Sequence, residues 1–258
     1  MEIKLTGRKA LITGGSKGLG LAMARTFAEA GANVAIVGRG QAALDEAVEA
    51  IGARPGQQVL ALSCDVRRAD DVAAGFGRVT EAFGQVDILV NNAGTSAAHP
   101  FETVTDEVWQ DDIDLKLFAA IRLTRLAWPQ MRKRKWGRII NVLNIGAKAP
   151  RPASTPTSVT RAAGMALTKA LAGEGAPHGI LVNALLVGFI ESDQWVQRAA
   201  DLGMPLEDFL AKMGKEVPMG RVGTAQEFAN AACFLASDAA SYITGTAINV
   251  DGNRSPVV

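Results

Sequence analysis

Tyrosine is almost missing from this chain: of 258 residues one is tyrosine, Tyr242, and only two are histidine and two cysteine. Two thiols, Cys64 and Cys233, cannot build a disulfide framework and read as buried core residues. His99 and His178 read as loop or helix-end residues, and no His, Cys or Asp cluster has metal-ligand spacing, so no metal is expected. Neither sign of charge is in excess. The 27 basic and 26 acidic residues leave a formal +1, which removes the global field that would draw the chain to nucleic acid. The one dense basic run, RKRK over 132–135, falls at the end of a helical pattern, where the helix dipole favours positive charge. Long apolar runs are also missing. The longest, ILVNALLVGFI over 180–190, is too short for a bilayer and reads as a buried strand. The opening MEIKLTGRKA has no apolar leader segment, so a cytoplasmic protein without a membrane partner is expected.

What is present is alternation. Strand-like runs at 9–13, 33–38, 58–64, 86–90, 137–143, 180–186 and 246–250 are separated by helical patterns at 18–30, 41–52, 69–83, about 105–134, 157–175 and 225–236. Short apolar strands alternating with helices imply βαβ units, and right-handed crossovers make of them one Rossmann-like, doubly wound parallel sheet in a three-layer αβα domain. No linker divides residues 1–258, so a single domain is expected. Residues 189–224 mix Phe, Trp and Met with charges and read as an amphipathic lid over a substrate space.

The first strand runs into TGGSKGLG at 13–20. Gly14, Gly18 and Gly20 permit a tight turn and a close backbone approach to a pyrophosphate, which the next helix N-terminus favours. Ser16, Lys17 and Leu19 complete this loop. The spacing Thr-Gly-x-x-x-Gly-x-Gly resembles the short-chain dehydrogenase/reductase family. So do NNAG at 91–94, Cys64-Asp65-Val66 after the third strand, and the tail SYITGTAINVDGN at 241–253. The resemblance spans essentially the whole chain. It implies that Asp65 and Val66 lie at the adenine and that Asn91, Ala93 and Gly94 also face the cofactor. After the sixth strand Val187-Gly188 replaces the family's Pro-Gly, and Gly188, Ile190 and Ser192 fall at its remaining cofactor positions. An NAD site places a carboxylate at the end of the second strand. Here Gly38 and Arg39 stand there, and Lys17 is in the loop, so two cations favour a 2′-phosphate and NADP(H) over NAD(H).

The family's catalytic helix opens with Tyr-x-x-x-Lys, with a serine thirteen residues earlier and an asparagine on the preceding long helix. The resemblance puts Thr157 at the tyrosine, Arg161 at the lysine, Asn144 at the serine and Lys116 at the asparagine, so every member of the tetrad is changed. A phenol has a pKa of about 10 that a neighbouring cation lowers, whereas a threonine alkanol has no accessible ionised state. Loss of a positioned acid or base costs about 10²–10⁴ in rate. Arg161 keeps a charge able to bind ribose hydroxyls and matches a cofactor-binding position. Asn144 keeps a donor for a substrate oxygen. Tyr242, in the C-terminal segment, reads as a packing residue. Lys116, Lys148, Ser154, Glu191 and Asp193 are the alternative acid–base groups.

Three functions stay open. The first is an oxidoreductase moving hydride between NADP(H) and a small carbonyl or alcohol, with water or Lys116 as proton source. The second is a redox-silent NADP(H)-binding sensor or regulatory subunit. The third is non-redox catalysis such as halide release; the family's halohydrin dehalogenases also carry arginine at the lysine position, but they keep serine and tyrosine and remodel the nucleotide loop. The resemblance also implies a homo-tetramer or dimer through the long helices and last strand; the apolar LFAAIRLTRLAW at 117–128 is compatible with that and equally with a place in the monomer's own core.

Overall fold

A computed structural model gives the structure of residues 3–258, the side chains at 193 and 194 excepted. The alternating pattern resolves into β1 (Lys9–Thr13), α1 (Gly18–Glu29), β2 (Asn33–Gly38), α2 (Gln41–Ile51), β3 (Val59–Ser63), α3 (Ala69–Phe83) and β4 (Ile88–Asn91). There follow α4 (Asp106–Ile113), α5 (Ala119–Arg134), β5 (Gly137–Asn144), α6 (Thr157–Gly175) and β6 (Ile180–Val187). The chain ends with α7 (Asp193–Asp201), α8 (Leu206–Gly214), α9 (Ala225–Ala236) and β7 (Ala247–Val250).

The strands of the described residues form one parallel sheet in the order β3-β2-β1-β4-β5-β6-β7. Helices cover both faces, which is why the central strands read as near-continuous apolar runs. Alternate side chains serve alternate layers. Ala10 and Ile12 of β1 pack with Met23 and Phe27 of α1, Leu44 of α2 and Phe228 of α9. Leu11, between them, joins Phe76 of α3 and Leu123 of α5 in the opposite layer. Cys64 and Cys233 are buried free thiols, one in each layer. The chain runs outward through β2 and β3, then crosses back to lay β4 on the other side of β1. At such a reversal the loops leave in opposite directions, and a crevice opens at the strand carboxyl ends.

Two expectations need correction. The single helix expected over about 105–134 is divided by a wide π-turn at Asp114–Phe118, where the amide of Ala119 reaches back five residues to the carbonyl of Asp114. Apolar periodicity does not reveal one extra residue in a turn, yet such turns re-aim side chains and are frequent at functional sites. Tyr242 does not pack on this chain. It stands fully exposed, in the turn following a short helical segment at Asp238–Ala240. Residues 189–224 contain α7 and α8, held by Phe189, Trp195, Phe209, Met213 and Val222, with Phe189 edge-on to Trp195 at 5.7 Å. No helix among the described residues is long and apolar enough to cross a membrane.

Candidate active site

The crevice is a cleft of about 840 Å³ at the carboxyl ends of the strands, within the usual range for ligand sites. Its floor is the turn after β1. Gly14 has φ +63°, and a Cβ there would lie 3.1 Å from both the Ala93 Cα and the Asn92 Nδ2. A Cβ on Gly20 would lie only 2.0 Å from the carbonyl oxygen of Gly14. These glycines are therefore required by close backbone approach. Asn92 Nδ2 donates to the carbonyls of Thr13 (2.9 Å) and Gly14 (3.2 Å), while Thr13 Oγ1 accepts the amides of Asn92 and Ala93 at 2.8 and 2.9 Å. The ends of β1 and β4 are thus stitched into one platform.

No side chain among the described residues caps α1; Lys17 precedes its first turn in an extended conformation. Its amides and dipole are left for an anion. Ser16, Lys17, Gly18, Leu19 and Arg39 line this end of the cleft. Gly38 ends β2 without a carboxylate, and a Cβ there would lie 3.3 Å from Ser16 Oγ. Uncapped amides with two cations beside them are a donor set that fits a dinucleotide bearing an additional phosphate.

Asp65 and Val66 line the neighbouring wall. Arg67 holds the Asp65 carboxylate through Nε to Oδ1 at 3.0 Å and Nη2 to Oδ2 at 2.6 Å, and reaches Asp111 Oδ1 with Nη1 at 2.8 Å. Those hydrogen bonds keep the Asp65 carboxyl below its ordinary range. Cys64 lies at the same end, its thiol pushed up to about 11, chiefly by burial and then by Asp71 and Asp65.

At the opposite end Asn144, Thr157, Ser158 and Arg161 converge. Asn144 ends β5, Thr157 begins α6, and one helical turn brings Arg161 onto the same side. Arg161 Nη1 donates to the carbonyl of Val142 at 2.8 Å, while Arg161 Nε and Asn144 Oδ1 are buried without a partner among the described residues. Burial brings the Arg161 guanidinium down to about 10, with Asp112 opposing. Thr157 Oγ1 accepts the Ala97 amide at 3.0 Å and the Lys116 ammonium at 3.0 Å. Lys116, on the π-turn, also donates to Asp112 Oδ1, and Thr160 Oγ1 donates to Asp112 Oδ2 at 2.6 Å. Burial, then repulsion from Arg161, brings the Lys116 ammonium down to about 8 against the pull of Asp112 and Asp111.

Gly188, Ile190 and Ser192 close the cleft beyond β6. A Cβ on Gly188 would lie 2.5 Å from the Asp251 Cβ, so the bare backbone lets the C-terminal turn pack here. Ser192 Cβ would be 4.0 Å from a Cβ on Gly18, across the phosphate turn.

The residues expected at the cofactor and at the four tetrad positions are brought to this cleft with two exceptions. Asn91 turns into the sheet, where its Nδ2 donates to Asn141 Oδ1 at 2.8 Å. Lys116 sits behind Thr157 rather than in the lining. Of the alternative acid–base groups, Lys148 Nζ donates to the carbonyl of Ala247 at 2.7 Å and the Ser154 hydroxyl donates to that of Arg151. Glu191 does not line the cleft, and the side chain of Asp193 lies outside the described residues. Sequence reading missed Asn92, although it lies inside the NNAG motif. It missed Arg67 and Thr160 as well. It missed Asp112 too, for which the signal was a carboxylate one helical turn before Lys116.

A family model for enoyl-(acyl carrier protein) reductases matches residues 14–252. Oxidoreductase UcpA of Salmonella typhimurium is 36% identical over 255 residues, 98% of this chain and 96% of that protein. The 3-oxoacyl-[acyl-carrier-protein] reductase FabG of Aquifex aeolicus is 32% identical over 252 residues, 98% of this chain and 99% of that protein. The structure of L-sorbose reductase from Gluconobacter frateurii, complexed with NADPH and L-sorbose, has a TM-score of 0.96 at 36% identity and covers 100% of both chains. An NADPH-bound short chain oxidoreductase from Pseudomonas aeruginosa containing an atypical catalytic center gives a TM-score of 0.91 at 37% identity over 99% of each chain.

Proposed function

The chain belongs to the short-chain dehydrogenase/reductase family, and we propose that it is an oxidoreductase that binds NADP(H) and acts on a small carbonyl or alcohol with catalytic groups other than the family's usual four. The observation that carries this reading is the uncapped α1 N-terminus with Lys17 and Arg39 beside it and no carboxylate at the end of β2. The NADPH held by two structural relatives supports it, as does the atypical catalytic center of one of them.

When bound, the nicotinamide supplies or takes the hydride. The remaining work belongs to the chain. The 14–20 turn receives the diphosphate, Lys17 and Arg39 the 2′-phosphate, and Asp65 and Val66 flank the adenine. Ala93, Gly94 and Arg161 hold the ribose, and Gly188, Ile190 and Ser192 back the nicotinamide. Asn144, with its amide nitrogen, and Thr157, with its hydroxyl, donate to the substrate oxygen. The 189–224 segment closes over the substrate as a lid. The assembly is a homo-oligomer in the cytoplasm, through faces that include Phe118, Leu126 and Val159, each exposed on the single chain.

One observation favours a second reading. Thr157 offers an alkanol where the reaction calls for an acid, which suits a redox-silent NADP(H) sensor. Titration with NADPH and NADH, followed by stopped-flow hydride transfer to a carbonyl panel in the same sample, separates the two. The oxidoreductase reading expects preferential NADPH binding and its oxidation. Tight NADPH binding without oxidation assigns the sensor instead.

A further inference from the structure

Behind the wall of the cleft lies a buried ammonium, with one hydroxyl between it and the substrate space. The Lys116 side chain is 1% exposed and that of Asp112 is 2% exposed. The groups facing Lys116 are Asp112 and Asp111 of α4, Arg161 and Thr157 of α6, and Gly94 of the loop after β4. Asp112 takes one N–H of the ammonium, and its other oxygen is occupied by Thr160. Another N–H goes to Thr157 Oγ1, which also accepts the Ala97 amide. Both lone pairs of that oxygen are thereby taken. Its own hydrogen has no acceptor among the described residues, and Thr157 lines the cleft.

We propose that Lys116 is the proton reservoir of the site and that the Thr157 hydroxyl relays its proton to the substrate oxygen. The inference rests on the oxidoreductase reading above. In the reducing direction the substrate carbonyl carbon gains its hydride and the C=O π pair moves onto oxygen. That oxygen forms a bond to the Thr157 hydrogen. The Thr157 O–H bond breaks while a Lys116 proton crosses the 3.0 Å to Oγ1. An alcohol, an intact threonine and a neutral amine result. Water entering the cleft after the alcohol leaves gives a proton to Thr157 Oγ1 as the hydroxyl's own proton returns to the amine, and the hydroxide so formed leaves to solvent. Oxidation runs the same transfers backwards.

The relay resolves the difficulty that threonine poses. An alkanol is a poor store for a charge, but a hydroxyl that loses one proton as it gains another carries none. The lysine is suited to the store, since burial and Arg161 bring it down to about 8. Other candidates stay out of the cleft lining: Lys148 is bonded to a backbone carbonyl, and neither His99 nor Tyr242 lines the cleft.

The test uses the full chain, NADPH, and 2,3-butanedione and 9,10-phenanthrenequinone as carbonyl probes. Lys116→Arg keeps the charge but holds its proton. Thr157→Val keeps the shape without the hydroxyl, and Thr157→Ser restores the hydroxyl. All three are expected to bind NADPH, read by fluorescence. Probe reduction is expected to fall about 10²–10⁴-fold in Lys116→Arg and Thr157→Val and to survive in Thr157→Ser. The wild-type rate is expected to decline as pH rises through the Lys116 midpoint, and NMR of labelled lysine on the chain without cofactor is expected to place that midpoint at about 8. Wild-type rates in Lys116→Arg or Thr157→Val overturn the relay alone, as does a midpoint at the ordinary lysine value of about 10.4. Wild-type protein that binds NADPH yet reduces neither probe at any pH removes the oxidoreductase reading, and the relay with it.

Discussion

Arg161 occupies space that Gly94 leaves open: a Cβ on Gly94 would lie 2.5 Å from Arg161 Nη2 and 3.6 Å from Lys116 Cγ. The loop after β4 thereby fixes where the guanidinium at the cleft wall sits. Gly94→Ala should displace Arg161 at an overpacking cost of about 1–3 kcal/mol. The expected outcome is a lowered melting temperature and weakened NADPH binding, by calorimetry and fluorescence. A variant matching wild type in both would show that the guanidinium yields freely.

Lys17 and Arg39 should set the choice between the two nicotinamide cofactors. A hydrogen bond to a charged group contributes about 1.5–3 kcal/mol, so Arg39→Ala is expected to weaken NADPH by roughly 10–100-fold and to leave NADH nearly unchanged. The NADPH loss should shrink as salt rises. Equal losses for both cofactors would place Arg39 away from the 2′-phosphate.

The Lys116–Asp112 pair predicts an asymmetric mutational response. Lys116→Met leaves a buried carboxylate whose remaining bond is from Thr160, and breaking a buried pair from one side costs about 3–5 kcal/mol. Urea unfolding should show that loss, and Asp112→Asn combined with Lys116→Met should recover part of it. An additive double variant contradicts the pairing.

The same lysine gives stability a pH dependence of known sign. Its folded pKa, about 8, lies below the ordinary 10.5, so between those values the unfolded chain binds more protons. The Lys116 contribution therefore opposes folding below pH about 8 and is relieved as pH rises toward 10.5. Wild-type stability relative to Lys116→Met should rise across that window. A flat difference would mean that the folded and unfolded ammonium titrate alike.

Cys64 and Cys233 are buried, and both thiols are pushed up to about 11, mainly by burial. Thiol reagents act on the thiolate. Labelling at pH 8 is expected to be slow in the native chain and fast in urea for both residues. Fast native labelling at either site would mean that the segment around it, the loop after β3 for Cys64 or α9 for Cys233, opens locally.

Strand and helix periodicities, read along the chain, gave the sheet and its layers, because each element's apolar spacing depends only on its own residues. The turn at 13–20 was legible for a similar reason. Its glycines answer a local backbone need, and the uncapped helix start follows directly after them. The residue types at 116, 144, 157 and 161 were legible too, and with them the absence of a phenol at 157.

What only tertiary structure decided is how those residues meet. The π-turn at Asp114–Phe118 aims Lys116 inward, and crossing elements set Thr157 against Lys116 and the Ala97 amide, and Thr160 against Asp112. Asn91 went to the sheet and Asn92 to the platform, although they are neighbours in one motif. Sequence spacing specifies which residues share a face of one element. Hydrogen bonds between elements, and the burial that shifts an ammonium toward neutrality, arise from packing across distances that the linear chain does not encode locally.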